Sequence, residues 1–477
     1  MKSIQAARVS FLVDAAAYYH AFVEAAELAQ ESILILGWDI HSELELIRSD
    51  AHSDGSSKKE TVRLARFLDN LLRDKPNLHI HILCWDFAVI YALEREKLTA
   101  LKMNWLHHER LHFALDNTVP SGASHHQKVV VIDDSVAFVG GIDLTVNRWD
   151  TPDHEPHSER RNKPDGEAYA PFHDIQVMVN GPIAGKLGAL ARSRWERSQS
   201  ERLPTPSMPA DFASNWPDCI QCHAEKVPVG VVVTMPEYKQ QREIRETEAF
   251  LLRVIESAQR FIYIESQYFT SPVICDALMN QLDRKDGPEI FILNPAQPSG
   301  WLEQVSMGVL RSRLLQKLKA KESGRLCVAY PVHDDVNIYV HSKLVIADDR
   351  MMYAGSANLS NRSMGFDTEC GLAFDARGDS NEDDSSEQGR LQSAIRDLRQ
   401  RLLSEHLGVS YESIQELEQQ GTGLVALIQD LGFEGPRRLR ELDIRLPEWL
   451  DQLVPDGSVI DPERPIGLDE MVGRLFQ

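Results

Sequence analysis

The sequence predicts an α/β protein made of two homologous lobes, with mixed sheets packed about a pseudo-twofold axis and a helical tail at the C-terminus. Two observations lead to this prediction. Helical patterns alternate with short apolar strands along the chain, and the pattern H-x-K-x4-D occurs twice in equivalent surroundings. Such alternation is typical of sheets layered with helices, and a repeated block indicates a repeated structural unit.

The elements that precede each copy of the pattern agree in type and order. A helical pattern leads into a short apolar strand, and a second apolar strand follows later. In the first half these elements are predicted over residues 15–30, 32–38 and 78–85, and in the second half over 248–259, 260–265 and 289–293. Both halves therefore predict the same α/β layering, with a mainly parallel or mixed sheet in each.

The 477 residues divide into five predicted parts. A first lobe with the first pattern and a second lobe with the second pattern are separated by a proline-rich connector. An acidic segment and a helical extension without chemistry of its own follow the second lobe. The predicted bounds are 1–202 for the first lobe, 203–230 for the connector, 231–377 for the second lobe, 378–390 for the acidic segment and 391–477 for the extension.

The repeated pattern has the same continuation in both copies. His126, Lys128 and Asp133 are followed by two glycines and Asp143, which lies 17 positions after the histidine. His341, Lys343 and Asp348 are followed by Gly355, Ser356 and Asn358, again 17 positions after the histidine. A single H-x-K-x4-D can arise by chance, whereas two copies with equal spacing indicate an internal duplication.

The spacing within the pattern indicates a half-site. Residues two apart in a strand point to the same face, so each histidine is predicted to project with its lysine. The apolar residues that follow predict a strand buried on both faces. Asp133 and Asp348 are predicted to hold turns and frame the strands, and the small residues after them allow close approach to a ligand.

Two imidazoles and two ammonium groups suit the cleavage of a phosphodiester. One histidine can attack phosphorus and the other can exchange protons with the leaving and entering oxygens, although the near-symmetric repeat leaves open which does which. The lysines can neutralise the phosphoryl oxygens, so we expect neither a metal nor another cofactor. Asp174 and Glu369 are the candidates to orient the histidines, by analogy with catalytic triads.

Composition excludes several classes of protein. With 51 basic and 72 acidic residues the net charge is −21, which disfavours non-specific nucleic-acid binding. The sequence shows no membrane-spanning or signal segment, so a cytoplasmic protein is expected.

Cys219-x-x-Cys222-His223 matches a haem-attachment pattern, but a connector with two thiols is the preferred interpretation and a zinc half-site the alternative. His154, within 149–167, is expected on a solvated loop rather than at a metal site.

The paired patterns resemble those of the phospholipase D superfamily, particularly its bacterial phospholipases D proper. Further similarity lies in 140–154, 264–269 and 404–408. The resemblance implies that His126 is the nucleophile and His341 the general acid and base, oriented by Asp174 and Glu369 respectively. It also implies that Lys128, Lys343, Asn358 and Asp143 line the phosphate site. Asp143 stands where the second copy has Asn358, so the predicted phosphate cradle is asymmetric.

The resemblance implies hydrolysis of a glycerophospholipid to phosphatidic acid and free headgroup through a phosphohistidine, with headgroup exchange when an alcohol replaces water. A cardiolipin-synthase-like phosphatidyltransferase, a nuclease of the same superfamily, and a non-catalytic phosphate-binding relic are the alternatives. We expect a monomer that contacts membranes transiently and peripherally and that binds no nucleic acid. Leaderless export to another cell stays an open alternative to a cytoplasmic location.

Overall fold

The computed structural model describes residues 3–48, 62–86, 108–207, 212–297, 301–321, 324–377, 386–445 and 461–464. The chain forms two compact units. The N-terminal unit comprises 2–118 and 124–231, and the C-terminal unit comprises 119–123 and 232–477 together with residue 1. The acidic segment predicted over 378–390 lies mostly outside the described residues, since 378–385 are among those omitted.

The N-terminal unit is built on a mixed sheet. Its strands are β1 (Ile4–Val13), β2 (Ser32–Gly37), β3 (Glu45–Ile47), β4 (Val62–Arg63), β5 (His79–Trp85), β6 (Leu111–Asp116), β7 (Val129–Ile132), β8 (Val136–Gly140), β9 (Phe172–His173), β10 (Ile175–Asn180) and the first part of β11 (Ala224–Met235). The main sheet runs β6-β5-β2-β7-β8-β10-β1-β11. The β6-β5 and β5-β2 pairs are parallel, and the other pairs are antiparallel.

Among the described residues of the N-terminal unit, three helices bury apolar side chains. They are α1 (Asp14–Leu28), α2 (Leu64–Asp74) and α3 (Pro182–Gln199). Helix α1 is rich in alanine, the strongest helix former. It buries Tyr18, Tyr19 and Phe22 in a core that also contains β2 and β5 residues. Helix α3 starts with Pro182 and ends before Ser200, which takes a left-handed conformation with φ +58°.

The C-terminal unit repeats the same strand order. Its strands are β12 (Ile244–Arg245), β13 (Phe261–Ser266), β14 (Glu289–Leu293), β15 (Leu326–His333), β16 (Val336–Asn337), β17 (Tyr339–Val340), β18 (Lys343–Ala347), β19 (Met351–Gly355), β20 (Glu369–Asp375) and β21 (Arg437–Glu441). The strands run β21-β15-β14-β13-β18-β19-β20, with the β15-β14 and β14-β13 pairs parallel and the others antiparallel. Strands β13, β14, β15, β18, β19 and β20 thus repeat the pairing of β2, β5, β6, β7, β8 and β10.

The described part of the C-terminal unit contains the helices α4 (Glu246–Ser257), α5 (Pro272–Asp283), α6 (Trp301–Lys319), α7 (Glu387–Leu407), α8 (Tyr411–Gln419) and α9 (Leu424–Leu431). Ser271 caps α5, and Ser386 caps α7 by accepting from the Gly389 N–H. Leu314, Leu315 and Leu318 of α6 are buried in the same core as β13 and β14.

The structure confirms the predicted α/β class and mixed sheets, and it corrects several element boundaries. The connector predicted over 203–230 ends inside β11, because residues 224–229 pair with β1. The extension predicted to be helical over 391–477 also contains β21, which joins the sheet along β15. The histidine and lysine of the first pattern precede β7, which begins at Val129, and only Lys343 of the second pair lies within its strand, β18. Within the described residues no helix is both long and apolar enough to span a bilayer.

Candidate active site

The first half-site lies just before β7 in the N-terminal unit. Lys128 is buried, and its Nζ lies 2.9 Å from Asp143 Oδ2 and donates to the backbone oxygen of His126 at 3.2 Å. Asp143 is itself fixed, because its Oδ1 accepts the Trp38 N–H at 2.9 Å. His126 is partly exposed. This half-site therefore holds its ammonium group between a carboxylate and the backbone oxygen of a partly exposed histidine.

The second half-site lies at the start of β18 in the C-terminal unit. Lys343 Nζ donates to the backbone oxygen of His341, as Lys128 does to His126, so the two lysines bend back over their own patterns in the same way. Lys343 Nζ also donates to Gln267 Oε1 at 3.1 Å, and Gln267 Nε2 donates to the Tyr339 hydroxyl at 3.0 Å. The Lys343 ammonium group therefore bonds the neutral amide of Gln267, whereas the Lys128 ammonium group is paired with the Asp143 carboxylate.

The two candidate orienting carboxylates are both completely buried. Asp174 Oδ1 accepts the Ile175 N–H at 2.7 Å, and the carboxylate lies directly against Gly141. A Cβ atom at Gly141 would be only 2.2 Å from Asp174 Oδ1, so this glycine makes the room that the carboxylate occupies. Glu369 accepts hydrogen bonds from the hydroxyls of Ser356 and Ser363. Both groups are held in place, and their roles toward His126 and His341 stay predictions.

Asn358, predicted to bind phosphate, is buried after β19, and its backbone N–H donates to Ser363 Oγ at 3.1 Å. Ser363 Oγ in turn donates to Glu369 at 2.7 Å. The same serine therefore links the backbone of the candidate phosphate ligand to the candidate orienting carboxylate.

The final aspartates of the two patterns, Asp133 and Asp348, accept hydrogen bonds from backbone N–H groups. The Asp133 carboxylate accepts the N–H groups of Gln30, Glu31 and Ser32 at 2.6, 2.9 and 2.7 Å. Five residues of extended chain, about 17 Å, separate Asp133 from Lys128, so the two side chains cannot hold one phosphate. Both aspartates have positive φ, +50° for Asp133 and +55° for Asp348.

Asp348 repeats this arrangement in the C-terminal unit. Its carboxylate accepts the N–H groups of Gln259, Arg260 and Phe261 at 2.7, 2.9 and 2.9 Å. Each aspartate thus ties the far end of its pattern's strand to the start of the neighbouring strand. This geometry is what the predicted framing role requires.

The residue after each of these aspartates binds a helix. Arg192 of α3 donates to both oxygens of Asp134 at 2.7 Å each. Arg399 of α7 donates to both oxygens of Asp349 at 2.6 and 2.7 Å and also bonds Glu418. Bidentate arginine-carboxylate pairs of this kind fix both distance and angle. No local sequence pattern predicts these pairs, because the partners are 58 and 50 residues apart.

A buried network holds the residues that flank His126 in the first pattern. Arg194 donates to Asp116 Oδ2 at 2.9 Å and to Gln127 Oε1 at 3.2 Å, and His125 Nε2 lies 3.0 Å from the same Asp116 oxygen. Burial, reinforced by Arg194, lowers the pKa of His125 to about 4. Burial by itself would raise the pKa of Asp116, but the Arg194 charge and the His125 contact leave it well below its usual range. The residues on both sides of His126 are thereby anchored.

Another buried group holds the end of β13, the strand that leads to Gln267. Glu265, near the end of β13, accepts from the Tyr263 hydroxyl at 2.6 Å and lies 2.9 Å from His406 Nε2 on α7. Burial and the Glu265 charge raise the pKa of Tyr263 well above its usual value. Because Gln267 follows two residues later, this group fixes the strand end that presents Gln267 to Lys343.

One buried cluster of the N-terminal unit has donor atoms that a divalent cation could bridge. Asp14, His154 and His173 place one ligand atom each within 4.8 Å of one another. His154 Nδ1 also bonds Asp150 Oδ2 at 2.9 Å. The expectation of a solvated loop over 149–167 was therefore wrong for His154, which is completely buried by these partners.

The cysteine pattern has no compact set of ligands within it. Cys219 is exposed and Cys222 is partly buried, and both are free thiols. His223 Nδ1 accepts the Phe11 N–H at 3.2 Å, which ties this histidine to β1. His20, Glu24 and Cys219 form a separate surface group with donor atoms within 4.8 Å.

Comparison with known proteins identifies the class to which this fold and these half-sites belong. A family model described as "Phospholipase D" matches residues 25–275, and one described as "Cardiolipin synthase, PLD-like domain" matches 251–384. Since the first match covers more than half of the 477 residues, the chain belongs to the phospholipase D family.

Curated relatives are similar over most of this chain. "Phospholipase D A" of Dictyostelium discoideum is 27% identical, across 84% of this chain and 36% of that protein. "Phospholipase D1" of Saccharomyces cerevisiae is 25% identical, across 98% and 32% respectively. "Phospholipase D alpha 1" of Carica papaya is 22% identical, across 70% and 57%. The chain thus spans about a third of the length of the first two relatives.

A solved structure shares the fold. Phosphatidylserine synthase of Haemophilus influenzae matches 88% of this chain and 93% of its own, with a TM-score of 0.54 at 13% sequence identity. At this level of identity the similarity concerns the fold alone.

Proposed function

We propose that this protein hydrolyses a glycerophospholipid to phosphatidic acid and a free headgroup. The observation that carries the proposal is the duplicated half-site. Each unit presents an imidazole two residues before an ammonium group, and that ammonium group is folded back onto the backbone oxygen of its own histidine. Paired imidazoles with paired ammonium groups suit attack on a phosphodiester. The curated relatives are named as phospholipases D, which favours a phospholipid as substrate.

In the proposed reaction the His126 imidazole attacks phosphorus, and the bond between phosphorus and the headgroup oxygen breaks. His341 gives its proton to the departing headgroup alcohol, which leaves a phosphohistidine on His126. Water then gives a proton to His341 and attacks phosphorus. The phosphorus-nitrogen bond breaks, releasing phosphatidic acid and restoring both histidines.

The lysines and buried carboxylates support these steps. Lys128 and Lys343 neutralise charge that accumulates on the phosphoryl oxygens in the transition state, and Asn358 is proposed to donate to the same oxygens. Asp174 and Glu369 are proposed to orient the histidines. Their complete burial and fixed hydrogen bonds suit this task, since a mobile carboxylate would lose much of its orienting effect.

A second candidate is transfer of the phosphatidyl group to an alcohol instead of water. The match of residues 251–384 to the model described as "Cardiolipin synthase, PLD-like domain" favours it. The chemistry differs only in the acceptor of the second step, so one assay can compare the two.

We further propose that the protein is a cytoplasmic monomer. We also propose that it contacts bilayers only transiently, because a net charge of −21 opposes lasting adsorption to anionic lipid.

The test is incubation with phosphatidylcholine vesicles and dilute ethanol, without added metal. Phosphatidic acid is the product of hydrolysis, and phosphatidylethanol is the product of transfer. His126→Ala and His341→Ala should each lower turnover by at least about 1,000-fold. His20→Ala, at a half-exposed position on α1, is the matched control and should keep full activity. Absence of both lipid products, together with nicking of plasmid DNA, would replace the proposal with a nuclease.

A further inference from the structure

The carboxylate beside Lys128 has no task in the proposed reaction, and it is an unusual neighbour for a phosphate ligand. Asp143 Oδ2 lies 2.9 Å from Lys128 Nζ, and both side chains are only 2% exposed. The carboxylate cannot turn away easily, because its other oxygen accepts the Trp38 N–H and lies against Gly37. A phosphate that approaches Lys128 therefore meets a fixed negative charge.

The two units differ at this position. In the C-terminal unit the corresponding residue is the neutral Asn358, and Lys343 donates to the neutral amide of Gln267. In the first half-site the Lys128 ammonium group is paired with the Asp143 carboxylate, whereas in the second half-site Lys343 donates to the neutral amide of Gln267. The two half-sites thus differ in the charge of the residue 17 positions after the histidine, while the bond from the lysine to the backbone oxygen of its histidine is repeated.

Building on the proposed function, we propose that Asp143 makes this site selective for phosphodiesters over phosphomonoesters. A diester carries one negative charge, whereas a monoester or inorganic phosphate carries nearly two above pH 7. An oxygen that shares the Lys128 ammonium with Asp143 lies roughly 5 Å from the carboxylate, because the donors of an ammonium group point tetrahedrally. Asp143 then repels a dianion more strongly than a monoanion.

The expected discrimination is substantial. One additional negative charge at roughly 5 Å from a carboxylate is disfavoured by about 10- to 100-fold, at an effective dielectric of ~20 and with partial screening. The substrate is a diester and the product, phosphatidic acid, is a monoester. Asp143 therefore weakens retention of the product without weakening binding of the substrate to the same degree, and it limits product inhibition.

The experiment compares two small ligands at pH 8, inorganic phosphate and dimethyl phosphate, by isothermal titration calorimetry. Asp143→Asn keeps the size of the side chain and removes its charge. It should tighten phosphate binding at least tenfold and change dimethyl phosphate binding less than threefold. Glu225→Gln makes the same change in net charge at an exposed ion pair with Arg8 and should alter neither. If Asp143 only positions Lys128, the variant weakens both ligands in parallel, and that result overturns the inference.

Wild-type protein supplies a test that does not depend on the folding of the variant. Dimethyl phosphate should bind wild type at least as tightly as phosphate does, and phosphate binding tenfold tighter would overturn the inference. Phosphatidylcholine hydrolysis is measured on the same samples. If wild type hydrolyses phosphatidylcholine but Asp143→Asn does not selectively tighten phosphate binding, the inference is rejected and the proposed function is kept. If Asp143→Asn selectively tightens phosphate binding but wild type does not hydrolyse phosphatidylcholine, the proposed function is rejected and the charge selectivity is kept.

Discussion

Replacing Asp133 by alanine should destabilise the protein without removing a catalytic group. The carboxylate accepts three backbone N–H groups, from Gln30, Glu31 and Ser32, and is itself only 5% exposed. Hydrogen bonds to a charged group contribute about 1.5–3 kcal/mol each when fully buried, and these three donors are partly buried. We therefore expect the free energy of unfolding to fall by about 3–5 kcal/mol.

The assay is urea unfolding followed by fluorescence and circular dichroism, combined with turnover measured on the folded fraction. Because Asp133 is about 17 Å along the strand from Lys128, turnover per folded molecule should stay within about threefold of wild type. Asp165→Ala is the matched control, since that carboxylate accepts the Glu167 N–H on an exposed turn. Full stability of Asp133→Ala with a 1,000-fold loss of turnover would refute this reasoning and make Asp133 catalytic.

Three further predictions follow from the site. Gly141→Ala should lower kcat/KM at least about tenfold in the phospholipid assay, because its Cβ would be 2.2 Å from Asp174 Oδ1; unchanged turnover would show that Asp174 can move without consequence. Arg399→Lys should lower the free energy of unfolding in urea by about 2 kcal/mol, since lysine cannot form the bidentate pair with Asp349; an equal urea midpoint would contradict this. Because burial lowers the pKa of His125 to about 4 in the folded protein, the unfolded chain takes up a proton between pH 6.5 and 4 that the folded chain does not. Acidification from pH 6.5 to 4 should therefore lower the free energy of unfolding, and His125 should account for up to about 3 kcal/mol of this loss. His125→Gln should remove that part of the pH dependence. Identical pH profiles of stability for wild type and His125→Gln would contradict this prediction.

The duplicated architecture could be predicted from the sequence, because its signal is local and occurs twice. Strand β14 (Glu289–Leu293) was predicted at its observed bounds, and β2 (Ser32–Gly37) with one residue too many. Short apolar runs next to turn residues give strands their pattern. Two patterns with equal spacing then supplied the correspondence between the halves, which the repeated strand order bears out.

The placement of the histidines relative to their strands could not be predicted in the same way. Alternation along the chain suggested that His126 lies in a strand, yet β7 begins three residues later at Val129. The segment before β7 is held by side chains instead, through Gln127 and Arg194. Arg194 comes from a helix 67 residues further along the chain, and no local pattern records such a partner.

The charge around each lysine also depended on the fold. The sequence showed that Asp143 and Asn358 differ, but it assigned both to the phosphate. Only the three-dimensional arrangement shows that Asp143 is paired with Lys128, and that Gln267 bonds Lys343. Gln267 lies 76 residues before its lysine, which is why motif spacing gave no signal for it.

The position of Asp133 and Asp348 affects how sequences of this kind should be interpreted. Both aspartates hold together neighbouring strands through backbone N–H groups, at the opposite end of the strand from the lysines. A descendant that lost its histidines would still need both aspartates to keep its sheets assembled. The aspartate of H-x-K-x4-D therefore reports the shared architecture, whereas the proposed activity depends on the histidine and lysine, and a search that weights the three residues equally would not separate the two.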